Sequence, residues 1–216
     1  MAKRYDQMEA LVAQARPERI VEVGVHRGVR AAKMCRWAID SHREPVTYTG
    51  FDVFDTVGDD FHAAALNGKG EPDREAAEDR LVTVARGGRL LWDFVVGDTR
   101  QTLHGTTVAC DFAFIDGDHR VDAIRGDAAA LDCPLIVFDD YYLPGPGGEL
   151  PDLSLYGANA VVEEMAATGA TVDLLPHRDR CDHGAWAVLA VVRRCSACSA
   201  AMNRGRPSAS TFSWPA

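Results

Sequence analysis

The chain has 216 residues, 47% of them hydrophobic, and a formal net charge of −9. This length suits one α/β domain with a full core, and the acidic balance argues against nucleic acid and anionic membranes as partners, since both select basic surfaces. No apolar run approaches the roughly 20 residues of a membrane helix, and the opening MAKRYDQMEALVAQARPER lacks the apolar core of a secretory signal; the expected location is the cytoplasm, with the six Cys reduced.

Taken in order, Met8, Leu11, Val12 and Ala15 recur at helical spacing over residues 5–16, and Pro17 ends that helix. Ile20 to Gly24 reads as a first strand, Gly24 to Gly28 as a turn, and Val29 to Ile39 as the next helix. In the turn E-V-G-V-H-R-G, Gly24 and Gly28 allow close approach of a ligand to the backbone, and the helix behind offers free amides to an anionic group. The turn lacks the G-x-G-x-x-G of dinucleotide enzymes. It suits a ligand carrying a carboxylate and an amine, with Glu22 available for the amine, although small residues at such turns also serve packing alone.

Val46 to Phe51 reads as a second strand ending at Asp52, where nucleotide-binding α/β folds hold ribose hydroxyls. The stretch 55–72 is polar; His62 and Lys69 read as solvated loop residues. Asp73 to Arg86 forms a helix closed by Gly87-Gly88, Leu90 to Val96 a third strand ending at Gly97-Asp98, and Thr99–Leu103 a short helix.

The stretch Asp111–Tyr142 carries the most chemistry. Phe112–Ile115 is a short apolar run that stops at Asp116-Gly117-Asp118-His119. A helical pattern follows with Val121, Ile124, Ala128 and Leu131 on one face, Pro134 breaks it, and Leu135–Phe138 runs into Asp139-Asp140. Strand–helix–strand of this kind is a right-handed parallel βαβ unit whose strand ends lie on one sheet edge, where ligands bind. Single acids at strand ends commonly cap turns. Asp116, Asp139 and Asp140 together would repel one another without a cation between them, which points to a divalent metal site.

The segment LPGPGGELPDLSLYGAN after Tyr142 reads as a loop at the ligand edge, of the kind that forms lids. Ala158–Thr168 is a helix; Thr171–Leu175 and Ala185–Val192 are two late strands joined by PHRDRCDHG, a hairpin. From Arg193 the periodicity stops, which gives a domain over residues 1–193 and a mobile tail over 194–216. Cys195 and Cys198 form a lone C-x-x-C in that tail, weak ground for zinc or redox chemistry.

The order E-V-G-V-H-R-G, T-G-F-D, V-V-G-D, F-I-D-G-D-H, V-F-D-D-Y resembles class I S-adenosylmethionine-dependent methyltransferases, and within them the metal-dependent O-methyltransferases of the macrocin and catechol types. The resemblance spans about residues 5–192. It implies a Rossmann-like, seven-stranded, mostly parallel sheet with helices on both faces and a late antiparallel hairpin. It implies that Glu22, Gly24 and Gly28 cradle the methionine end of S-adenosylmethionine, that Asp52 takes the ribose hydroxyls and that Asp98 lies beside the adenine. It further implies that Asp116, Asp139 and Asp140 hold Mg²⁺ or another hard divalent cation.

A hard cation lowers the pKa of a coordinated hydroxyl, and a base must still take its proton. His119 and Asp118 are the candidates; His119 is preferred because imidazole titrates near neutrality. Asp140 stands where the catechol enzyme has an amide, and no catalytic Lys neighbours Asp116, so a small-molecule hydroxyl of a sugar or other natural product is the expected acceptor. A homo-oligomeric state is left open. The rival readings are a cofactor-binding scaffold without turnover and a nicotinamide oxidoreductase, the latter lacking its pyrophosphate fingerprint.

Overall fold

The computed structural model describes residues 3–54, 72–154 and 156–194. His62, Lys69, Cys195, Cys198 and the rest of the tail beyond Arg194 lie outside the described residues.

Two short helices, α1 (Lys3–Asp6) and α2 (Met8–Ala15), precede strand β1 (Arg19–Val23). Helix α3 (Val29–Ser41) and strand β2 (Val46–Asp52) follow, then α4 (Arg74–Ala85), β3 (Leu90–Val96) and α5 (Thr99–Thr102). Next come β4 (Val108–Ala109), β5 (Phe112–Ile115), α6 (Val121–Ala130), β6 (Leu131–Asp132) and β7 (Leu135–Leu143). The chain continues through α7 (Ala158–Ala167), β8 (Thr171–Leu174), β9 (Asp179–Arg180) and β10 (Trp186–Arg193).

The main sheet has the order β3-β2-β1-β5-β7-β10-β8, with β9 added beside β10. β1, β2, β3, β5 and β7 are mutually parallel, whereas β10 is inserted antiparallel between β7 and β8. This matches the expected mostly parallel sheet with its late antiparallel pair. The pair β4–β6, two residues each, was not anticipated; runs that short carry no periodicity.

The strands of the sheet centre are buried on both faces because helices cover both. Met8, Leu11 and Val12 of α2, Ala31 and Met34 of α3, and Ala77 and Leu81 of α4 pack on one face with Ile20, Tyr48 and Phe114. Ile124 and Ala128 of α6 and Val161, Val162 and Met165 of α7 pack on the other with Val21, Val23, Ile115 and Phe138. The early break between α1 and α2 at Gln7 is a second departure from the expected single helix over residues 5–16.

Two glycines fix the geometry of the first turn. Gly24 has φ +88, and a Cβ there would stand 2.1 Å from the Asp116 carbonyl oxygen, so only glycine lets β1 and β5 end side by side. Gly28 has φ +69, and its Cβ would meet Ala77 Cα at 2.7 Å. That residue serves the close packing of α3 on α4.

At the far end, Arg193 is still within β10, paired with Leu135. Arg194 donates hydrogen bonds to the carbonyls of Ala128 and Leu131. The chain is therefore anchored one residue past the last strand.

Candidate active site

The carboxyl ends of β1, β2, β3 and β5 open into one cleft, lined by Gly24, His26, Arg30, Phe51, Asp52, Val53, Gly97, Asp98, Asp116, Gly117, Asp118 and His119, among others. Of the expected cofactor residues, Gly24, Asp52 and Asp98 line it, while Glu22 and Gly28 do not.

Asp52 is buried, and both of its oxygens are engaged by the backbone. Oδ2 accepts from the amides of Val25 and His26, each at 2.7 Å, and Oδ1 accepts from Phe54 at 2.8 Å. The carboxylate thus clasps the turn after β1 to the end of β2. Its four lone-pair directions leave one for a ligand hydroxyl. Asp98 caps α5 through the Arg100 amide and forms a forked ion pair with the Arg100 side chain, which is the main cause of its lowered pKa.

Glu22 lies beneath the cleft rather than in it. Its side chain is fully buried, accepts the Tyr48 hydroxyl and stands 3.9 Å from Arg30. Burial raises its pKa to about 8 against the opposing pull of Arg30 and Tyr48. At neutral pH it is a largely neutral acid, poorly suited to holding an ammonium group.

Asp118 and His119 differ sharply. Asp118 is held in a fork by Arg120 and also accepts the Arg120 amide. Burial opposes ionisation, yet those bonds prevail and keep its pKa below the usual range. A carboxylate so held is a weak base. His119 instead presents Nδ1 to Asp140 Oδ2 at 3.6 Å, and its ring lies 5.9 Å from that of Tyr156.

Asp139 and Asp140 are adjacent, and in a regular strand they would point to opposite faces. Between Phe138 and Tyr141 two residues of β7 face the single Leu189 of β10, a bulge, and Asp140 adopts φ +52. The irregularity turns both carboxylates toward one guanidinium. Arg4 of α1 reaches Asp140 Oδ1 at 3.0 Å, Asp139 at 3.3 Å and Asp179 at 3.4 Å. The Tyr5 hydroxyl also donates to Asp139. Asp116 is paired with Arg30, whose guanidinium lies 4.8 Å from the centre of the Tyr5 ring; that of Arg4 lies 4.9 Å from it.

The three expected metal ligands therefore each have a guanidinium partner. Asp139, fully enclosed, is turned to Arg4 and Tyr5, and burial together with repulsion from Asp116 raises its pKa despite Arg4 and Arg30. A different trio, Asp116, His119 and Asp140, brings one ligand atom each within 4.8 Å of one another. Arg4, Tyr5 and Arg30 were not anticipated as site residues. No local pattern marks them, since Arg4 and Asp140 are joined only by the fold.

No described helix is long and apolar enough to cross a membrane. Among curated proteins no significant match is found. Solved structures share the fold. The O-methyltransferase from Bacillus cereus in complex with SAH aligns with a TM-score of 0.59 at 15% identity, covering 90% of this chain and 82% of that one. Cofactor-bound Rv0187 from MTB aligns with a TM-score of 0.58 at 21% identity, covering 89% and 80%. TomG from Streptomyces achromogenes, an O-methyltransferase of tomaymycin synthesis in complex with SAM, aligns with a TM-score of 0.56 at 16% identity, covering 90% and 81%. At these identities the likeness is one of fold. The sequence itself matches the model of a methyltransferase domain over residues 21–141, more than half of the chain, from the first strand through the acid pair within β7; the chain belongs to that methyltransferase family.

Proposed function

We propose that this protein transfers a methyl group from S-adenosylmethionine to a hydroxyl of a small molecule, with His119 as the base. The observation that carries the reading is that His119, with Asp140 behind it, lines the same cleft as Gly24, Asp52 and Asp98 in a chain of the methyltransferase family. The O-methyltransferases of like fold support a hydroxyl acceptor. The glycine backbone at 24, 97 and 117, with acids at three strand ends, suits a cofactor that is part amino acid and part nucleoside.

When bound, S-adenosylmethionine supplies a methyl group on a positively charged sulfur, and that carbon–sulfur bond breaks as the acceptor oxygen bonds to carbon. With Nδ1 turned to Asp140, Nε2 of His119 is the atom that takes the hydroxyl proton. Asp140 steadies the imidazolium so formed, and Arg4 fixes Asp140. Asp52 holds the first turn in shape and offers its remaining lone pair to a ribose hydroxyl.

Mg²⁺ dependence is a separate reading, supported by the approach of Asp116, His119 and Asp140. It would make His119 a ligand and, by adding an imidazole donor, favour softer cations over Mg²⁺. The guanidinium partners of the acids weigh against it, and no step above runs through a metal. A sugar or other natural-product hydroxyl remains the proposed acceptor.

Calorimetric titration with S-adenosylmethionine, its demethylated product and NAD tests the cofactor. Saturable binding of the first two and none of NAD is expected; the reverse would sink the methyltransferase reading. Binding without methyl transfer to any hydroxyl in a labelled-cofactor screen would favour a scaffold.

A further inference from the structure

We propose that Arg4 and Arg30 occupy the electrostatic place of a divalent cation in this site, so that the acid cluster is closed by the protein's own guanidiniums and methyl transfer is metal-independent. The inference rests on the methyltransferase reading for its chemistry, though not for its geometry.

The two guanidiniums bring to the cluster the positive charge that a divalent ion would bring. Three carboxylates, Asp116, Asp139 and Asp140, converge where the end of β5 meets the bulge within β7. A divalent ion would bring two positive charges, and Arg4 and Arg30 bring the same two. Arg30 pairs with Asp116, while Arg4 lies between Asp139 and Asp140. Two further acids stand against the same guanidiniums: Asp179, 3.4 Å from Arg4, and the buried Glu22, 3.9 Å from Arg30.

The two arginines are built in, not draped over the cluster. Arg4 is 8% exposed, comparable to the acids it holds. Burial disfavours its charge, and attraction to Asp139 and Asp140 outweighs that and raises its pKa. Like charges so close would repel, but both guanidiniums lie over the Tyr5 ring, whose π-face attracts cations. Tyr5 in turn donates to Asp139, so the stack and the acids form one network.

A metal would need to displace these groups. Octahedral Mg²⁺ requires oxygens about 2.1 Å from the ion. Asp139 and Asp140 oxygens here converge instead on a guanidinium nitrogen at 3.3 and 3.0 Å. Removing a guanidinium should therefore do more than loosen the fold. It should leave paired carboxylates uncompensated, and so create an affinity for cations that the parent lacks.

The test uses the full chain and needs no acceptor. Chelator-treated protein is titrated with Mn²⁺ and bound ion is read by electron paramagnetic resonance, alongside S-adenosylmethionine calorimetry with and without chelator. The parent is expected to bind no Mn²⁺ at millimolar concentration and to bind the cofactor equally in both conditions. Arg4→Ala should bind Mn²⁺ at least about tenfold more tightly than the parent, and Arg4→Lys, which restores a cation, should not. If Arg4→Ala does not fold, Arg30→Gln carries the same readout. Mn²⁺ bound stoichiometrically by the parent, or a folded variant with no gain in Mn²⁺ affinity, overturns the inference. Failure to bind S-adenosylmethionine would instead strike the methyltransferase reading and leave the Mn²⁺ result standing.

Discussion

The carboxylate of Asp140 is shared between His119 and Arg4: Oδ2 lies 3.6 Å from His119 Nδ1, and Oδ1 lies 3.0 Å from the Arg4 guanidinium. A base oriented by a carboxylate that is itself clamped has its proton-accepting nitrogen aimed before substrate arrives. His119→Ala should lower the methylation rate by about 10²–10⁴ with cofactor affinity unchanged, and raising the pH should recover part of the loss. Initial rates against pH for parent and variant, with an identified acceptor, check this. An unimpaired variant would remove His119 from the mechanism.

Asp52 is the clasp of the first turn as well as a proposed cofactor residue. Asp52→Ala strands the amides of Val25, His26 and Phe54 and removes three bonds to a charged acceptor. A stability loss of about 3 kcal/mol or more is expected in urea unfolding, in addition to weaker cofactor binding. Weaker binding with unchanged stability would mean that the backbone bonds contribute little.

Glu22 makes stability depend on pH in an unusual direction for an acid. Its folded pKa, about 8, lies above its unfolded value near 4.5. Between those values the folded chain holds a proton that the unfolded chain has lost, so this residue's contribution falls as pH rises, by up to about 1.4 kcal/mol per pH unit. Glu22→Gln keeps an acceptor for the Tyr48 hydroxyl and cannot ionise. Compared by urea unfolding, the variant should gain on the parent steadily from pH 5 to pH 8. Parallel stability curves would show that Glu22 is already charged in the native protein.

The two glycines of the first turn should separate cleanly. Gly28→Ala pushes against Ala77 and is expected to cost about 1–3 kcal/mol while cofactor affinity of the folded protein persists. Gly24→Ala drives a methyl group into the Asp116 carbonyl on the cleft wall, so both stability and cofactor binding should be lost. Thermal unfolding and calorimetry on both variants check the contrast; equal loss of binding in the two would return Gly28 to the cofactor site.

Much of the cleft was legible because each acid follows an apolar run. Asp52, Asp98 and Asp116 stand at or just past the ends of strands that a parallel βαβ topology aligns on one edge, and the structure places them there; the Asp139-Asp140 pair, expected at a strand end, lies instead within β7, which runs on to Leu143 in pairing with β10. What each acid touches was not legible. The bulge that turns Asp139 and Asp140 to one side depends on β10, some fifty residues later, and leaves no local pattern. Arg4 and Tyr5 looked like unremarkable terminal residues because their partners are over 130 positions away. The burial of Glu22 follows from strand alternation beneath α3, which a strand-end acid motif does not distinguish from a cleft position.

Strand β10 lies between β7 and β8, yet it is the last strand among the described residues. A chain halted before Trp186 would leave β7 as an open edge, with the backbone around Asp139 and Asp140 unpaired on that side. The bulge that gathers the two acids could not form, because its opposing residue, Leu189, would not exist. Assembly of the acid cluster during synthesis must therefore wait for nearly the whole domain, so that a truncated product can carry every proposed cleft acid and still leave Asp140 unplaced against His119.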